Sequence, residues 1–197
     1  MGVPRPLMYL LISGGWCSNY LIRNSLPSLL PFVAKAQGFS DAQLATLLGA
    51  FYPGYLLTQI PAGILATRVG AKIVLTSNMA ATAILTLAMP AIARRGVVPL
   101  AALLSIMGLF QGSLVPAGSL LQKDWLEGLG AQRPLVEQLM SVLGLIGGNV
   151  AASALTPRIA SGPGGWERVC FLYGSGTAIF TGMSPATFGA TSLALMR

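Results

Sequence analysis

LATLLGAFYPGYLLTQIPAGILA, residues 44–66, is a run of 23 residues without a charged side chain. Wound as a helix it is about 35 Å long, enough to cross a hydrocarbon core of roughly 30 Å. Strands of a membrane barrel would be about 10 residues long with strict alternation, a pattern absent here. Working outward, similar apolar stretches predict six transmembrane helices at about 7–33, 44–66, 73–93, 97–121, 139–157 and 169–196. The third and fourth also lack charge. The fifth is cut back by Glu137 and Arg158, and the sixth is diluted by glycine, serine and threonine. Glycine and proline inside such runs are tolerated because neighbouring helices satisfy the freed backbone groups. The expected fold class is therefore an all-α membrane protein.

Composition agrees. Of 197 residues 54% are hydrophobic and 9% charged, with a mean hydropathy of +0.71. A soluble domain carries roughly 25% charged residues, and 12 basic plus 5 acidic side chains are too few to cover a water-facing surface. The net charge of +7 does not point to nucleic acid, because the basic residues are singles or pairs between apolar runs. Histidine is absent, which excludes Ser-His-Asp and Cys-His catalysis and imidazole-ligated zinc. Cys17 and Cys170 fit neither a disulfide framework nor a metal spacing. No general acid or base lies in the dry region beyond tyrosine and cysteine, so an enzyme is not expected. Neither is a cofactor or a metal. The first run only weakly imitates a signal peptide and reads as an uncleaved span. With the N-terminus inside, basic residues divide six to five across the membrane, which leaves orientation open.

Arg23 is the one charge deep in a span. An arginine at a span centre costs of order 3 kcal/mol on insertion scales, and such charges face the bundle interior or a wet cavity. Helical spacing sets Asn19 and Tyr20 on its face, with Trp16 a turn further. The alternative is snorkelling to the outer surface, with Pro27 ending the span early. Tyr52, Tyr55 and Gln59 form a second stripe, and Gln111 and Asn149 are the polar residues of spans four and five. Together they describe a polar centre whose only formal charge is positive, for which an anion is the natural partner. Gly108 with Gly112 and Gly144 with Gly148 are small-xxx-small pairs, read as helix packing.

FYPGYLLTQIPAGILATRVGAKIVL, residues 51–75, resembles the second helix and following loop of the major facilitator superfamily, in its anion–cation symporter branch. NYLIRNSLPSLLP (19–31) is similar to that branch's first helix, GLFQGSLVPAGSLLQKDW (108–125) to its fourth and GGWERVCFLYG (164–174) to the start of its sixth. The resemblance implies an N-terminal six-helix transporter half over 1–174, with 175–197 an atypical, truncated end of helix six. It implies secondary transport of a small organic or inorganic anion, with Arg23 as ligand and Tyr20, Tyr55 and Gln111 beside it. Gly63, Arg68, Gly70 and Lys72 would form the cytoplasmic loop that governs alternating access. Expected partners are a small anionic solute, the lipid bilayer, and a second six-helix half or a second copy. The chain also departs from the pattern. Ile22 and Gln111 stand where the branch has acids implicated in proton coupling, Leu104 where it has an arginine, and Thr67 where the loop has an aspartate. An amide and an isoleucine cannot titrate. Those losses raise the alternative of a non-transporting relative that acts as an assembly or regulatory partner.

Overall fold

The computed structural model describes residues 5–192, and those residues are helical without strands. The helices are α1 (Arg5–Gln37), α2 (Asp41–Val69), α3 (Ala71–Ala93), α4 (Val97–Gln111), α5 (Leu114–Trp125), α6 (Arg133–Ala160) and α7 (Gly165–Ser192). A 3₁₀ turn, Glu127–Gln132, joins α5 to α6. Since α5 continues α4, the seven helices fall on the six apolar segments read from the sequence. The expected beginning at residues 1–4 and the end of the sixth helix at 193–196 lie outside the described residues.

Three differences from the sequence reading have physical causes. The first span runs on to Gln37 through Pro27 and Pro31 instead of stopping near residue 33. Each proline removes one N–H donor, so Pro27 leaves the carbonyl of Arg23 without its helical partner, but the helix continues. The fourth span is broken after Gln111. Pro116 has no N–H to offer the carbonyl of Gly112, and beside it the Ser113 N–H and hydroxyl both donate to Phe110 O, at 3.1 and 2.7 Å. The fifth span begins at Arg133, ahead of the expected 139. Pro134 sits in its first turn, and Glu137 and Arg133 are an i,i+4 pair 3.9 Å apart on the helix surface.

The helices pack chiefly as three pairs, α1 with α6, α2 with α4 and α3 with α7. Small residues make the first two possible. On α6 the buried positions are Gly144, Gly148, Ala152, Thr156 and Ala160, one every four residues. A Cβ on Gly148 would stand 2.7 Å from both Cys17 O and the Cβ of Tyr20. Gly108 and Gly112 present a bare face to the backbone of α2 at Phe51 and Tyr55, and Ser105 Oγ donates across to Ala50 O at 2.7 Å. Both glycine pairs serve packing, as their spacing suggested.

Three stretches are long and apolar enough to cross a membrane by length and composition: Ala71–Ala93, Val97–Asp124 and Leu129–Ala160. α2 displays Leu56, Leu57, Ile60 and Ile64 outward, and α6 displays Leu135, Leu143, Ile146 and Val150. These outward rows are the surface expected of helices solvated by lipid.

Candidate functional site

The site is a cleft of about 340 Å³ between α1, α2 and α6. α1 contributes Tyr20, Arg23, Asn24 and Pro27; α2 contributes Phe51, Tyr52 and Tyr55; α6 contributes Asn149. Leu26, Leu30 and Leu47 form its apolar floor. Local sequence explains how each wall gets there. Gly148 lets α6 close onto α1 beside Tyr20, which delivers its neighbour Asn149 to the cleft. Gly108 and Gly112 hold α4 against the backbone of α2 at Phe51 and Tyr55, and so fix the two rings that face Arg23.

Arg23 is half-buried near the midpoint of α1. Its guanidinium carbon lies 4.2 Å from the centroid of the Tyr55 ring and 5.6 Å from that of Phe51, within range of cation–π attraction. Phe51 and Tyr55 are themselves stacked at 5.9 Å, so the cation rests on a rigid aromatic shelf. Among the described residues the ion pairs join Arg94 to Glu167 and Arg133 to Glu137, and neither involves Arg23. A guanidinium held over aromatic faces keeps its N–H edges available for planar, bidentate contact with a carboxylate or phosphate. Tyr20, Asn24 and Asn149 add neutral polar groups at the rim.

The cleft brings together Arg23, Tyr20 and Tyr55, three of the four expected binding residues. It also gathers Tyr52 and Asn149, while Gln59 is not among its lining residues. Gln111 is the exception. It is 1% exposed and lies away from the cleft. At 100° per residue it sits about a quarter turn from the face that Gly108 and Gly112 give to α2, so its side chain enters the bundle core. Asn19 also leaves the expected stripe. It is buried, donates to Gly15 O at 3.1 Å, and lines a separate small cavity with Trp16, Met79 and Leu114. Asn24 was missed by the sequence reading, although its place beside the only deep charge was a usable signal.

Of the expected loop residues, Arg68, Gly70 and Lys72 lie at the turn between α2 and α3, roughly 20 Å along α2 from the Arg23 shelf, while Gly63 lies inside α2. Gly70 makes that turn at φ 98°, in the region that favours glycine, and its N–H donates to Ala66 O at 3.1 Å. Arg68 is exposed, Lys72 borders the small cavity, and a Cβ on Gly63 would touch Pro116 at 3.4 Å.

Comparison with known proteins adds identity to this geometry. A family model described as Major Facilitator Superfamily matches residues 12–188, running past Gly174. Sialin of Homo sapiens is 40% identical over 79 residues, 40% of this chain and 16% of that protein. The chloroplastic sodium-dependent phosphate transport protein 1 of Arabidopsis thaliana is 31% identical over 148 residues, 75% of this chain and 28% of its own length. Vesicular glutamate transporter 2 of Mus musculus is 27% identical over 190 residues, covering 88% of this chain and 32% of the relative. The chain therefore spans about a third or less of these relatives.

Proposed function

The chain belongs to the Major Facilitator Superfamily, in the anion–cation symporter branch, and we propose that it carries a small anion across a membrane with Arg23 as the anion's ligand. It is an integral, multi-pass membrane protein of a solute-transport family. Phosphate and glutamate, after which two of these relatives are named, share one property at neutral pH: oxyanion groups that a guanidinium binds with two parallel hydrogen bonds. The single observation that carries the reading is Arg23 lying in an open polar cleft on the Tyr55 ring, with no carboxylate of the described residues paired to it. In this reading Tyr20 and Tyr55 line the anion's seat. Arg68, Gly70 and Lys72, with Gly63 on the adjoining stretch of α2, form the cytoplasmic gate that moves when access alternates. Gln111, turned into the core, takes no part in the contact.

Among the described residues the cleft is lined by α1, α2 and α6. Its facing wall, on this reading, comes from a second six-helix body, on a continuing chain or on a second copy. The test is uptake of labelled phosphate and glutamate into proteoliposomes. In an assembly with both bodies, Arg23→Ala abolishes uptake, and uptake unchanged by that substitution overturns the anion-ligand role. The 197-residue chain reconstituted as a single body transports poorly, whereas robust uptake would remove the need for a second wall.

A further inference from the structure

The cleft around Arg23 has two unlike sides. On one, the guanidinium lies over the Tyr55 and Phe51 rings of α2. On the other stand Tyr20 and Asn24 of α1 and Asn149 of α6. Tyr20 and Asn24 are four residues apart and share a face of α1, and Asn24 projects about 100° away from its neighbour Arg23. Packing supplies the α6 part. Gly144 meets α1 at Ser13, Trp16 and Cys17, and Gly148 meets it one turn further on, at Cys17, Tyr20 and Leu21. The two helices therefore run parallel, and Asn149, next to Gly148, stands at the level of Tyr20.

The sides differ in chemistry as well as position. Arg23 only donates hydrogen bonds, and it carries the single formal charge among the lining residues. The amides of Asn24 and Asn149 and the Tyr20 hydroxyl are neutral and can both donate and accept. None of these three groups is hydrogen-bonded to another described residue. Amides outside the cleft are engaged differently. Asn19 Nδ2 donates to Gly15 O, Asn78 Oδ1 accepts from Thr82 Oγ1, and Gln122 exchanges hydrogen bonds with Ser141. The neutral side of the cleft thus keeps its hydrogen-bonding capacity for a solute.

A ligand that matches both sides has one acceptor-only charged end and a body of groups that donate and accept. A carboxylate supplies the first and hydroxyls the second. Building on Arg23 as the anion's ligand, we propose that Asn24 and Asn149 are specificity-determining residues that read hydroxyl groups on the anion's body. The site then prefers a hydroxylated monocarboxylate to phosphate, a dicarboxylate or an unsubstituted carboxylate. A second carboxylate would lose water against neutral amides, with no cation of this chain to compensate it. Inorganic phosphate spreads its charge over every oxygen and meets the same obstacle. An unsubstituted carbon chain leaves both amides unpaired, and a site built to bond a hydroxyl rejects the analogue that lacks it.

Protection of Arg23 against phenylglyoxal, in the full chain in detergent, tests this with acids of equal carbon number. Threonate has one carboxylate and three hydroxyls, butyrate one carboxylate alone, and succinate two carboxylates; inorganic phosphate is the fourth probe. Threonate is expected to half-protect Arg23 at a concentration about tenfold below the other three. Asn24→Ala and Asn149→Ala should each raise that concentration several-fold, toward the butyrate value. Equal protection by threonate and butyrate in the native chain overturns the hydroxyl-reading role while leaving Arg23 as the ligand, and needs no variant to fold. Stronger protection by succinate or phosphate overturns the preference for a single charge. A threonate preference that survives both substitutions overturns the assignment to these two residues. Protection by none of the four removes Arg23 as the anion's ligand, and the hydroxyl preference with it.

Discussion

A guanidinium in the middle of a membrane-spanning helix is costly, of order 3 kcal/mol on insertion scales. At Arg23 that cost is offset by the aromatic shelf of Phe51 and Tyr55 and by the open, polar cleft around it. The ring and not its hydroxyl supplies the shelf. Tyr55→Phe is therefore expected to leave anion affinity within about twofold, while Tyr55→Leu removes about 1 kcal/mol of cation–π attraction and weakens binding roughly fivefold. Equilibrium binding of labelled phosphate to the two variants measures the difference. Arg23→Lys should restore little of what Arg23→Ala loses, because an ammonium neither lies flat on Tyr55 nor offers a bidentate fork. At this scale Arg23, Tyr20 and Tyr55 were readable because charge and phenol are rare in oily runs. Gln111 was not, since a polar residue in a span announces that it needs a partner without saying in which direction it points.

At the scale of the helix pair, bare glycine faces decide what can stand beside what. Gly147 and Gly148 are neighbours on α6 with opposite expectations. A Cβ at Gly147 meets only Cys17 Sγ at 3.6 Å, while at Gly148 it would press on backbone and on Tyr20 at 2.7 Å. Gly148→Ala should destabilise the α1–α6 pair by about 1–3 kcal/mol, as overpacking does. Gly147→Ala should be neutral or mildly stabilising through helix propensity. Thermal unfolding of the two variants in one detergent compares them directly, and equal melting temperatures would deny the close approach. The small-residue spacing of both pairs was legible in sequence. The break after Gln111 was not read, although Pro116 and the Gly112–Ser113 pair that produce it were in plain view. Continuous hydropathy through residues 97–121 concealed it.

For the molecule as a whole, six spans followed from apolar length, but only three stretches meet the length-and-apolarity measure among the described residues. α1, α2 and α7 fall short of it; in α1 and α2 the polar cleft residues Tyr20, Arg23, Asn24, Tyr52 and Tyr55 contribute to the lower hydropathy. Charges gather at the span ends, where Arg94 at the end of α3 pairs with Glu167 at the start of α7 at 2.8 Å. That pair is open to solvent, and Glu167→Gln is expected to cost under about 1 kcal/mol in unfolding, less again at high salt. The central claim is that Arg23 faces water and meets anions. Phenylglyoxal labelling of the chain, quantified residue by residue by mass spectrometry, tests it most directly, with exposed Arg94 as the reference. The account predicts that Arg23 is modified and that phosphate or glutamate slows its modification while Arg94 is unaffected. An Arg23 that stays unmodified, or reacts at the same rate with and without either anion, would contradict it.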